Sequence, residues 1–143
     1  MVSTTVEPAR AVPMHPAHAF LLAATVPPFV GAAISDYAYR TSQQVQWINF
    51  ASWLIVGGLV FCGAALGCLV FGLFRVDRRS RHFAVSSVLL LATFVLGVFN
   101  AFVHARDAWA SMPTGLVLSV IVAILACVVT WIGFSTLRVE AAP

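Results

Sequence analysis

"FAVSSVLLLATFVLGVFNAFVHARDAW", residues 83–109, is the stretch that decides the fold. Its first part, Phe83–Val103, contains no Asp, Glu, Lys or Arg, and a polar phrase then closes it. As a helix rising about 1.5 Å per residue, that part reaches roughly 31 Å, enough to cross the hydrocarbon core of a bilayer. Met14–Ile34, Ile48–Phe74 and Thr114–Leu137 are uncharged in the same way. The thirteen charges fall between these runs, at 7, 10, 36, 40, 75–81, 106, 107, 138 and 140. Of the 143 residues 61% are hydrophobic and 9% charged, whereas a soluble domain carries about 25% charged residues. The chain lacks the charge to build a water-facing surface. An all-α integral membrane bundle of four transmembrane helices is expected.

The segments between the runs hold 13, 8 and 10 residues, so sequential helices must be antiparallel neighbours. The expected organisation is an N-terminal tail (1–13), a four-helix transmembrane domain (14–138) and a short C-terminal tail (139–143). The apolar run after "MVSTTVEPAR" (1–10) exceeds a normal signal-peptide core, so an uncleaved first helix is expected. Every basic residue apart from histidine is arginine. With the N-terminus inside, Arg10, Arg75, Arg78, Arg79, Arg81 and Arg138 are cytoplasmic, and only Arg40 and Arg106 are outside. That asymmetry predicts cytoplasmic termini. The net charge of +3 is thus a topology signal, with no nucleic-acid partner implied. "RVDRRSR" (75–81) also suits anionic headgroups of the lipid bilayer.

Polar side chains inside an apolar helix need partners, because lipid offers none. Ser86, Thr93, Asn100 and Asp107 recur every seven residues, the repeat of a bundle seam. His104 shares the arc of Asn100 and Asp107. On the first helix His18, Thr25 and Asp36 share a face, with His15 at its edge, although Pro27–Pro28 is expected to interrupt that helix midway. Two polar clusters follow. One, at the cytoplasmic rim, holds His15, His18 and His82. The other, at the outer rim, holds Asp36, Asn100, His104, Arg106 and Asp107, with Arg40 or Arg106 expected to satisfy the carboxylates.

Gly63 and Gly67 form a G-x-x-x-G suited to close helix packing, within the bundle or in a dimer. Trp47, Trp53, Trp109 and Trp131 stand near span ends as interfacial anchors. Cys62, Cys68 and Cys127 form no disulfide framework and are expected to be core thiols. His18 and Asp36 are 18 residues apart, as are His82 and Asn100, which suits two helical hairpins related by an axis along the membrane normal.

At "MHPAHAF" (14–20) and "NAFVHARDAW" (100–109) the chain resembles the bacterial membrane family known as domain of unknown function 2231. The family's His-Pro-x-His is matched by His15, Pro16 and His18, and its Asp after the first helix lies within "SDYAYRTSQQVQWINFASWL" (35–54). The phrase around His104, Arg106, Asp107 and Trp109 and the following "PTGL" (113–116) complete a likeness over residues 14–137. Ala19 stands where the family usually has a second proline, and Pro27–Pro28 is atypical. The resemblance implies a four-helix protein of the bacterial inner membrane without a settled activity. Members also look like neighbours of redox proteins such as cytochromes c and sugar dehydrogenases.

Three functions fit the residues. The first is a structural or accessory subunit that packs with a partner membrane complex or as a homo-oligomer. The second is a small redox subunit binding haem b through His15 or His18 and His82, with arginines near the propionates. The third is a proton or small-solute conduit along the polar seam, which is disfavoured by the expectation that no charged residue lies within any span. No G-x-S-x-G, P-loop, H-E-x-x-H or C-x-x-C is present, so the usual signatures of soluble enzymes are missing.

Overall fold

The computed structural model describes the backbone of residues 15–73, 81–106 and 108–138, and their side chains except at 72, 73, 81–83, 108, 109 and 136–138. The elements are α1 (Pro16–Ser42), α2 (Val45–Leu73), α3 (Arg81–His104), the single-turn α4 (Ala108–Ser111) and α5 (Thr114–Arg138). Glu7, Arg10, Arg75–Arg79, Asp107 and Glu140 lie outside the described residues. All of α1, with Val45–Phe71, Ala84–His104 and Thr114–Ser135, is long and apolar enough to span a bilayer. The protein is an all-α bundle of four membrane-spanning helices.

α1 and α3 each pack against both α2 and α5, so the helices stand in the circular order α1–α2–α3–α5. α1 and α3 therefore occupy opposite corners. The buried positions show why: 22, 25, 29, 32, 36 and 39 on α1, and 90, 93, 97, 100 and 104 on α3. Alternating steps of three and four make a narrow heptad stripe. α2 repeats the pattern at 48, 51, 55, 58, 62 and 65, and α5 at 115, 119, 122, 126 and 129. Phe29, Ile55, Leu90, Val122 and Val129 fill the interior, while Phe20, Trp53, Phe71, Phe102 and Trp131 stand exposed on the outside. An apolar exterior is what hydrocarbon solvates.

Small residues set the approach of the helices. A Cβ at Gly58 would sit 2.7 Å from the Phe29 ring, and one at Gly97 would sit 2.9 Å from Leu59 and 3.4 Å from Phe29. The Phe29 ring thus lies against both glycines, between α2 and α3. Gly63 meets Phe94 at 3.2 Å in the same sense, whereas Gly67 has nothing within 4 Å. Half of the G-x-x-x-G therefore serves packing inside the chain.

Three expectations are corrected. Pro27–Pro28 does not interrupt α1, which runs unbroken from Pro16 to Ser42 with its buried stripe in phase. Pro27 faces outward, and Pro28 stands opposite Gly57, 4.0 Å from where a side chain there would begin. The first connection is two residues, not thirteen, because both helices continue past their uncharged runs. Gln43 makes that turn in the left-handed conformation (φ 56°) and donates its N–H to the Tyr39 carbonyl. Finally, only Cys62 is a core thiol, and Cys68 and Cys127 are exposed.

Candidate functional site

The heptad stripes of three helices bring four polar side chains together at the end of the bundle where α1 turns into α2. Asp36 comes from α1, Asn100 and His104 from α3, and Ser119 from α5. Asp36 and Asn100 are fully buried, Ser119 nearly so. Because α1 and α3 stand at opposite corners, the reach between them falls to side chains. His104 crosses it, its Nε2 lying 2.8 Å from Asp36 Oδ1. Gly115 makes room for the imidazole, since a Cβ there would lie 2.9 Å from Cε1.

The hydrogen bonds close on themselves. Asn100 Nδ2 donates to Ser119 Oγ at 2.8 Å, and Ser119 donates to Asp36 Oδ2 at 2.5 Å. His104 completes the circuit, with Nδ1 3.0 Å from the carbonyl oxygen of Asn100. A carbonyl only accepts, so Nδ1 carries hydrogen. Nε2 faces a carboxylate oxygen, and one further proton must lie between those two atoms. The ring is therefore an imidazolium–carboxylate pair or its neutral equivalent, with zero net charge either way. Short charge-assisted contacts of this kind are the stronger class of hydrogen bond. Asn100 Oδ1 is the ring's one buried atom without a partner.

Serine, histidine and aspartate are also the residues of a hydrolytic triad, but the order here is different. In a triad histidine stands between the other two and takes the serine proton. Here aspartate stands between them, and Ser119 directs its hydrogen at Asp36. Histidine is therefore not placed to take the serine proton, which is directed at the carboxylate of Asp36 instead. Among the described residues no group of three or more His, Cys, Asp or Glu is placed to hold a metal ion.

The sequence pattern of the predicted membrane proteins DUF2231 matches residues 14–139, nearly the whole chain. The chain belongs to the DUF2231 family. Nothing among curated proteins or solved structures matches it.

In this DUF2231 chain the His-Pro-x-His is the start of α1. His15 caps the helix, exposed, its Nδ1 accepting from the Ala17 N–H at 3.2 Å, and Pro16 is the first helical residue. His18 is half-buried beside the backbone of Ala65 on α2, and its Nδ1 is buried without a partner. The side chain of His82 lies outside the described residues. Of the outer-rim candidates, Asp36, Asn100 and His104 come together, Arg106 is exposed, and Asp107 is outside the described residues. Ser119, rather than Arg40 or Arg106, satisfies the second oxygen of Asp36. Arginine is not needed, because a short hydroxyl rooted on α5 already reaches it.

Along the seam, Thr93 is buried and Ser86 half-buried. Thr93 donates to the Leu89 carbonyl at 2.8 Å and Thr25 to that of Leu21 at 2.9 Å, each on its own helix. A buried carboxylate within a span also overturns the expectation that the spans hold no charge. Ser119 is the member of the ring that sequence spacing does not single out, because the fourth run offers no second polar residue in phase with it nearby. Its signal was a lone hydroxyl one turn from Gly115 in an otherwise aliphatic stretch.

Proposed function

We propose that the chain is a structural or accessory subunit of the bacterial inner membrane, with both termini cytoplasmic, packing against a partner membrane complex or a second copy. The polar ring acts as the lock of its outer end. One observation carries this. Asn100, Ser119 and His104 each direct a donor at another member of the ring, which is what a fastening needs and a substrate site does not. The family match supports the membrane setting, and the run Arg75–Arg81 supports the orientation. A conduit along the seam is disfavoured, because Phe29, Leu90 and Val122 fill the core below the ring and the threonines bond their own helices.

The test is thermal unfolding in detergent of Asp36→Ala and His104→Ala. Both should melt well below the parent chain. Unchanged melting with loss of an interaction at the outer face would make the ring a recognition site instead. For orientation, cysteines introduced at Ser42 and Ser80 in a background without native cysteines should label differently from outside intact cells. Position 42 reacts and position 80 does not.

A second reading rests on His18, whose buried Nδ1 without a partner suits a small redox subunit holding haem b with His82. His15 is the poorer ligand, because its Nδ1 already caps α1. A visible spectrum of the purified protein, before and after dithionite, separates the two, since a haem b protein shows a Soret band that shifts on reduction.

A further inference from the structure

Four of the ring's five hydrogen positions are fixed by covalent chemistry: two on the Asn100 amide, one on Ser119 and one on His104 Nδ1. The fifth lies between His104 Nε2 and Asp36 Oδ1, which are 2.8 Å apart. It is the only one an acid–base equilibrium can add or remove. We propose that the ring is a binding site for one exchangeable proton, whose presence locks α1 to α3 and α5. This deepens the structural role proposed above and rests on it.

Loss of the proton to solvent water leaves two lone pairs facing each other and changes the ring's net charge from zero to −1. Gain of a second, from hydronium, sets Oδ1–H against Nε2–H and makes the charge +1. Both side chains are at most 1% exposed, and an uncompensated charge is strongly disfavoured at such burial.

Among the described residues no charged neighbour compensates it. α1 supplies Arg40, which is exposed a turn further on, and Tyr39, which is buried. α3 is followed by Arg106, also exposed. α2 presents no ionisable residue from Val45 to Ile55, and α5 none within two turns of Ser119. The turn before α5 contributes Ser111, with Asp107 outside the described residues. The charge is relieved by separating the groups. On this proposal the part that moves is the last two turns of α1, which end in a two-residue connection and so draw the start of α2 with them. Asn100 Oδ1, buried and unpartnered, accepts a hydrogen bond from the first water to arrive.

The experiment measures melting temperature and amide exchange of residues 35–42 in detergent over about pH 4 to 9, a range spanning the ordinary carboxyl and imidazole titrations. The parent chain and the Asp36→Asn, His104→Gln and double variants are compared. The parent should be most stable at an intermediate pH, with exchange about tenfold faster on both flanks. The double variant, whose two amides pair without an ionisable proton, should be flat.

A parent chain flat in pH, or a double variant that keeps the parent's profile, overturns the proposal. If the single variants melt like the parent at its optimum, the structural role fails as well. If they are destabilised while the parent is flat, only the proton site fails. Should the double variant not fold, nitrogen-15 NMR of His104 in the parent decides. Opening of residues 35–42 must coincide with a change in imidazole protonation, and opening without that change refutes the site.

Discussion

The two ends of this bundle treat buried polarity in opposite ways. At the end where α1 meets α2, four side chains from three helices join in one closed circuit. At the other end His18 keeps a buried nitrogen without a partner, and the cross-helix bonds are separate ones, such as that from Thr130 to the Leu22 carbonyl at 3.1 Å and that from Cys62 Sγ to the Leu90 carbonyl at 3.7 Å. The same helices and the same heptad stripes serve both ends. What differs is whether a carboxylate stands on the stripe. Asp36 can accept from two helices at once, and no group at the His18 end has that capacity among the described residues.

The contrast is broken most severely by Asp36→Ala, which strands an imidazole and a hydroxyl in the core. A loss of about 3–5 kcal/mol is expected from removing one partner of a buried pair, read as a drop in melting temperature in detergent. Ser119→Ala should cost less, about 1–3 kcal/mol, since it removes one donor to Asp36 and one acceptor for Asn100. Gly115→Ala tests the same end without touching a polar atom. Its methyl group would press on His104 Cε1, with a cost of about 1–3 kcal/mol for overpacking, whereas Gly67→Ala, which meets nothing, should be neutral or slightly stabilising. Thr130→Val at the opposite end should cost about 1 kcal/mol. His18→Leu should change melting least, because loss of its contact with the Ala65 backbone is offset by removal of a buried nitrogen without a partner. A large loss there, with Asp36→Ala mild, would reverse the roles of the two ends.

How much of this was legible follows from the same contrast. Four spans were plain in the sequence, because hydrophobic length is set by bilayer thickness. The Asn100–His104 spacing placed both on one face of α3. The shared face of His18, Thr25 and Asp36 put the carboxylate on the first helix, whereas the tight turn at Gln43 was hidden because no glycine lies between Gly31 and Gly57 to announce a left-handed residue. Ser119 was silent for another reason: a hydroxyl in an aliphatic helix acquires meaning only from what it faces. The suggested hairpin symmetry gains one point, since α1 and α3 stand at opposite corners and Asp36 and Asn100 meet at one end. It loses another, because the equivalent of His104 is Arg40, which is exposed.

Phe29 gives the arrangement an electrical property. Its ring lies against Gly58 and Gly97, two turns of α1 below Asp36, or roughly 10 Å along the axis, and is fully buried in aliphatic surroundings. That layer is an insulator in series with the polar end. A transmembrane voltage falls mainly across such a low-dielectric layer rather than across the polar end.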